Sequence, residues 1–334
     1  MPLISSSYTT PPYYLFNSHA ETIVPSIFRT VEGTYVRERL ELVDGDFLDL
    51  DWMRRNNKKL VIISHGLEGS SERHYSKGMA KYFYDRGWDA MAWNCRGCSG
   101  VMNRLPRFYH HGATEDLAAV VDRAIQLKYE YISLIGFSMG GSMSLKYVGE
   151  RKGILPTQVK SAITFSVPCN LKSSATELDK PSNWFYLTRF LKKLEKKIRV
   201  KSVLFPEQIS ATGFEKIKTF REFDNRYTAP LHGFSDADDF YIRASSGPYL
   251  QSIEIPTLLV NALNDPFLPD ACYPLELANK HPHLYLETPA RGGHVGFSLP
   301  RSSESWMERR AYEFAENLCA SLLMHAQSQD LSTK

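Results

Sequence analysis

Short apolar runs alternate with stretches of helical patterning along most of this chain, and that alternation restricts the fold more than any other feature. The runs are Leu60–Ser64, Ala90–Asn94, Tyr131–Gly136, Val159–Ser166, Thr257–Ala262 and Leu284–Glu287. Helical stretches fall between them: one ending near Gly87, one over Thr114–Lys128, one through Glu150, one over Cys272–Asn279, and a terminal one over Ser303–His325. Strands spaced this way need crossover connections, which predicts an α/β fold with a mostly parallel central sheet and helices on both faces. Upstream, Val36–Met53 reads as two alternating runs around Asp44-Gly45, an N-terminal antiparallel hairpin. The alternation lapses over 167–251, where no buried strand is readable. That stretch is expected to be a helical cap inserted into a core formed by residues 1–166 and 252–326.

Composition narrows the functional classes. With 40 Lys+Arg against 37 Asp+Glu, the net charge of +3 gives no global pull towards nucleic acid. Five scattered cysteines do not make a secreted disulfide framework. The first 28 residues lack the basic and apolar regions of a secretory signal, and no run approaches the ~20 apolar residues that span a bilayer. A cytoplasmic protein is expected, and nothing in the sequence specifies an oligomeric state.

The chemistry centres on Gly136-Phe-Ser-Met-Gly140, a G-x-S-x-G directly after a predicted strand and opening a predicted helix. Small residues flank the turn because larger ones would clash with strand or helix, and the serine is left exposed at the helix start. A serine hydroxyl needs a base to take its proton and an acid to orient that base, and in this arrangement they follow in the order acid, then histidine. That order excludes His19, His65, His74, His110 and His111 as the base. His294 lies in the glycine-rich Arg291–Gly296 loop after the last predicted strand and is the expected base. His232, His281, His283 and His325 are poorer candidates. Asp265, just past the preceding apolar run, is the expected acid, with Asp270 as its rival. The oxyanion donors are expected to be the backbone N–H groups of Met139, after the serine, and Leu67, in Ser64-His-Gly-Leu-Glu-Gly69 after the first central strand. His65 reads as a brace for that loop.

Other signals have plainer readings. Cys95-Arg-Gly-Cys98 is read as two loop cysteines, because no second C-x-x-C accompanies it. His111 and Asp116 resemble an acyltransferase spacing, but Thr114 as N-cap and Asp116 at a helix start explain them structurally. Asp236, Asp238 and Asp239 read as a solvated turn, and no metal-binding motif is present. Trp184, Leu187, Leu191, Leu194 and Ile198 form an apolar stripe, interleaved with Lys192, Lys193, Lys196, Lys197 and Arg199. This is expected to be a lid helix with a solvated basic face; the alternative is weak peripheral contact with an anionic membrane. Trp184, Phe185, Tyr186 and Phe190 suggest a hydrophobic acyl pocket.

Several segments together resemble a known family. They are Asn17–Ser26, His65-Gly-Leu-Glu-Gly-Ser-Ser71, Asn94-Cys-Arg-Gly-Cys-Ser-Gly100, Gly136–Gly141, Phe223–Ala229 with Leu231–Asp236, Asn264-Asp-Pro266 and Gly292-Gly-His294. The chain resembles the α/β-hydrolase superfamily and, within it, the YheT-like hydrolases, related to animal phospholipase-like abhydrolases and fungal medium-chain fatty-acid ethyl ester synthase/esterases. The resemblance implies an α/β-hydrolase fold and a serine esterase, with Ser138, Asp265 and His294 at the family's triad positions and a cap over the acyl site. The expected substrate is a small-molecule carboxylic ester of short to medium acyl chain. Because water would release the acyl group, no cofactor and no metal are expected. Acyl transfer to an alcohol through the same triad is the alternative; a prolyl-type peptidase and a non-catalytic binding module are weaker ones.

Overall fold

The structure, a computed structural model, describes residues 3–332, with side chains through residue 319. Its strands are β1 (Leu3–Ile4), β2 (Val36–Glu41), β3 (Phe47–Met53), β4 (Lys59–Ser64), β5 (Asp89–Asn94), β6 (Tyr131–Phe137), β7 (Val159–Phe165), β8 (Thr257–Val260) and β9 (Leu284–Glu287). Among the described residues they make one sheet in the order β1-β9-β8-β7-β6-β4-β5-β3-β2. The hairpin β2–β3 is antiparallel, as is its junction with β5. The other pairs are parallel. The two-residue β1 was not legible in the sequence; it pairs with β9 at the far edge.

The helices are α1 (Ser18–Phe28), α2 (His74–Asp85), α3 (Thr114–Gln126), α4 (Met139–Glu150), α5 (Leu171–Leu178), α6 (Trp184–Leu204), α7 (Phe220–Phe223), α8 (Ala229–Leu231), α9 (Ala237–Ala244), α10 (Leu275–Lys280) and α11 (Trp306–Ser332). Alternation along the central strands sorts their side chains to two faces. Leu60 and Ile62 join Leu117, Val121 and Met143 from α3 and α4. Val61 and Ile63 join Met79, Phe83, Met307 and Phe314 from α2 and α11. Between β7 and β8 the described chain is helical, and Leu187, Leu191, Leu194 and Ile198 of α6 pack with Phe214, Phe220, Phe223 and Tyr227 in a separate apolar cluster.

Several expected details differ. The helix expected over Cys272–Asn279 is α10, starting at Leu275, because Pro274 keeps Tyr273 out of the helical region and Asp270–Cys272 forms its own turn. The terminal helix starts at Trp306, after Ser305 pairs with Ser298. Ala113, not Thr114, occupies the cap of α3; the Thr114 hydroxyl instead donates to Glu150. Asp116 is captured by the buried Arg96 guanidinium, from 2.6 Å. The basic face of α6 is not fully solvated: Lys193 and Lys197 bend back onto the loop after β4, as long stems allow. Trp184, at the start of α6, overhangs the end of its stripe and is 64% exposed. No helix among the described residues is long and apolar enough to cross a membrane.

The strand order reverses beside β4: the chain passes from β4 to β5 on one side, then to β6 on the other. A crevice forms at the carboxyl ends of strands flanking such a switch, and ligands of open α/β sheets bind there. Ser64 and Phe137 end the two strands concerned.

Candidate active site

Ser138 sits on the turn between β6 and α4 with φ 52° and ψ −116°, a sparsely allowed conformation for a non-glycine residue. Glycines make the turn feasible. A Cβ at Gly136 would lie 2.5 Å from the Gly141 Cα, and one at Gly140 would lie 2.5 Å from the Ser64 carbonyl carbon. The turn is held by the Ser138 N–H donating to Phe165 O at 2.9 Å.

The structure brings the three expected side chains together. His294 Nε2 lies 2.9 Å from Ser138 Oγ. His294 Nδ1 lies 2.9 and 3.1 Å from the two Asp265 carboxylate oxygens. With the proton on Nδ1, facing the carboxylate, Nε2 accepts from the serine hydroxyl. The Asp265 side chain is fully buried and also accepts the Phe267 N–H at 2.9 Å. The rival Asp270 is exposed, in the turn before α10. The Phe267 ring packs on the imidazole, with centroids 4.1 Å apart.

Sequence reasoning missed the residue that ties the acid and base loops together. Glu21 of α1 is 1% exposed and accepts from Arg291 Nε at 2.7 Å, Gly292 N–H at 2.9 Å and Asn264 Nδ2 at 2.8 Å. Asn264 Oδ1 in turn accepts the Gly293 N–H at 3.0 Å, and Thr22 Oγ1 accepts the His294 N–H at 2.9 Å. The Val295 N–H goes to Ser166 Oγ at 2.9 Å. Four consecutive N–H groups around the histidine are therefore committed. Glu21 carries no local signal, because its partners lie 243 to 271 positions away; only its place in the resembling Asn17–Ser26 segment pointed towards it.

The loop after β4 is fixed in the same manner. Gly66 N–H donates to Tyr75 Oη at 3.1 Å and Glu68 N–H to Tyr109 Oη at 2.9 Å. Leu67, between them, lines the space in front of Ser138. Met139 opens α4, so its N–H has no intrahelical acceptor. His65 braces the loop: Nε2 accepts the Cys95 N–H at 3.1 Å, and Nδ1 lies 2.7 Å from Gly66 O. Cys95 and Cys98 are both free thiols. Helix α6 clamps this loop from above, through Lys197 Nζ to Glu68 Oε1 at 2.7 Å and Lys193 Nζ to Glu68 O at 2.9 Å.

Two open spaces meet at Ser138 and His294. The larger, about 1030 Å³, runs beneath α6 between Leu171, Leu178, Leu194, Ile198, Phe220 and Phe223 and ends near His110, His232 and Asp224. Of the aromatics expected to line an acyl pocket, Phe190 borders this space. Trp184 and Phe185 are exposed instead. The smaller, about 780 Å³, opens on the other side, past Tyr186, Arg73 and Arg189.

A strained serine at a sheet switch point, with the acid and then the histidine following it along the chain, belongs to the class of α/β hydrolases. A family model for the alpha/beta hydrolase fold matches residues 59–299, and the chain belongs to this family, in its YheT-like branch. It is 32% identical over 317 residues to YheT of Escherichia coli (strain K12), whose name proposes an esterase, covering 92% of both chains. It is 34% identical over 312 residues to the phospholipase ABHD3 of Mus musculus, covering 89% of this chain and 74% of that one. An esterase of Pyrococcus furiosus, Pf2001, shares the fold at a TM-score of 0.57 and 17% identity, covering 86% of this chain and 94% of that one.

Proposed function

We propose that the protein is a serine hydrolase of carboxylic esters. The observation that carries this reading is the continuous relay from Ser138 Oγ through His294 to Asp265, with contacts of 2.9 Å at both ends. The names of its relatives, an esterase and a phospholipase, support ester hydrolysis.

The geometry supports the following course. His294 Nε2 takes the Ser138 proton as Oγ bonds to the ester carbonyl carbon, and Asp265 stabilises the imidazolium. The carbonyl oxygen becomes an oxyanion that the Leu67 and Met139 N–H groups can meet, each such donor contributing about 3–4 kcal/mol in other hydrolases. The carbon–alkoxy bond then breaks, and the leaving alcohol takes the proton from Nε2. Water gives its proton to the same nitrogen and attacks the acyl carbon; the Oγ–acyl bond breaks, and the serine recovers its proton. The helical stretch between β7 and β8 acts as the cap, with the acyl chain in the larger, apolar space beneath α6, and the ester's alcohol half leaves on the other side.

Labelling with a fluorophosphonate probe tests the nucleophile. Wild type is expected to label and Ser138→Ala to remain unlabelled; equal labelling of both removes Ser138 from this role. Turnover of a graded series of nitrophenyl esters then fixes the acyl length.

A further inference from the structure

The smaller space differs from the larger one in charge. Arg73, Arg189 and Lys193 line it together with Ser138 and His294. Among the described residues, neither the Arg73 nor the Arg189 guanidinium has a hydrogen-bond or ion-pair partner. The acidic group in its lining, Glu68, is already engaged: its carboxylate meets Lys197 Nζ at 2.7 Å and Tyr109 Oη at 2.5 Å. Lys193 Nζ donates to the Glu68 carbonyl, which neutralises no charge.

These cations stand close enough to act on one another. Lys193 is held below the usual lysine range, first by burial and then by Arg73, with Glu68 opposing and Arg189 and Lys197 adding to the effect. His74, in the same lining, is pushed down to about 3 by burial and by Arg29 and Arg73, so it is neutral there. Its Nδ1 is buried without a partner. Cations gathered in a concave site without counter-charges raise the local potential and favour an anionic guest. Guanidinium forks match the oxygens of phosphate and carboxylate groups.

We propose that this second chamber receives the alcohol half of the ester and selects alcohols that carry an anionic group, phosphate or carboxylate, near the ester oxygen. The inference rests on the esterase reading above. It also divides the ester between the two spaces: the apolar one takes the acyl chain and the cationic one takes the leaving group.

The test is kcat/KM for octanoyl esters of choline, glycerol, glycerate and glycerol 3-phosphate, which share one acyl chain and differ in leaving-group charge. The expected order rises from choline to glycerol 3-phosphate. The phosphate ester should exceed the glycerol ester by about tenfold or more at low salt, narrowing towards about 0.5 M salt as the field is screened. In the Arg73→Gln/Arg189→Gln double variant the phosphate-to-glycerol ratio should fall to within about twofold. The salt series on wild type, with Arg189→Gln alone, covers the case in which the double variant fails to fold. A gain with both acids supports the proposal, and a gain with phosphate alone supports it with phosphate as the recognised group. A wild-type ratio near one overturns it, as does a ratio that salt and both variants leave unchanged. If no ester is turned over and the fluorophosphonate probe does not label Ser138, the esterase reading itself fails; a flat charge series on a labelled, active enzyme removes only the anion selectivity.

Discussion

The loops at the sheet rim and the helical stretch between β7 and β8 are held in place by different forces. Around His294, backbone N–H groups from Gly292 to Val295 each have a named polar partner, drawn from α1, from the acid loop and from the end of β7. Beneath α6 the contacts are apolar, Leu187, Leu191, Leu194 and Ile198 against Phe220, Phe223 and Tyr227, with ion pairs at the edge. Hydrogen bonds are short-ranged and directional, so they fix where an imidazole points. Apolar packing is non-directional and defines a volume. The rim is thus built for position and the helical stretch for shape, and changes in the two should separate in rate and stability.

The largest effect tests the rim. Ser138→Ala should lower kcat by about a million-fold, as loss of the nucleophile does elsewhere, with little change in the unfolding midpoint. Asp265→Asn should cost about ten-thousand-fold, because the amide supports the wrong imidazole tautomer; pre-steady-state acylation measures it. The next test moves to the helical stretch. Ile198 is fully buried, and Ile198→Ala should destabilise by about 2–5 kcal/mol in urea unfolding. A comparable fall in the rate of fluorophosphonate labelling would contradict the separation.

Glu21→Gln sharpens the comparison from the opposite side. One acceptor oxygen becomes a donor facing Arg291, Gly292 and Asn264, and kcat should fall by about 10–100-fold, with KM moving less. Equal losses in stability and kcat would make Glu21 a merely structural residue.

A last test is a pH dependence in the helical stretch. Burial raises the Asp224 carboxyl to about 7, against the hydrogen bonds from Thr228 and Tyr241. In the unfolded chain the same group titrates near ~3.9. Between those values the folded state holds a proton that the unfolded state has released, so this contribution to stability declines as pH rises from ~4 to about 7 and is gone above it. Asp224→Asn should flatten that decline, read as a smaller loss of Tm between pH 5 and pH 8.

Legibility followed the range of the interactions. The serine turn is local: Gly136, Ser138 and Gly140 meet their steric demands within a few residues, and the strand before and helix after are visible as periodicity. The choice between Asp265 and Asp270 is not local, since both follow the same apolar run and only folding buries one against the imidazole. Helical spacing places Lys193 and Lys197 on the solvated face, because it shows which face opposes the apolar stripe and not where a long stem bends. Trp184 fits the stripe by spacing, yet the core ends before it.

By itself the sequence determined the alternating strands and helices, the inserted helical stretch and the order serine, acid, histidine, because each is written in neighbouring residues and their periods. Tertiary structure alone decided that Glu21 joins the acid and base loops, that lysines of α6 clamp the loop carrying Leu67, and that Arg73 and Arg189 line one space with the serine. Those arrangements depend on contacts between residues hundreds of positions apart, and only the packed chain brings them within bonding distance.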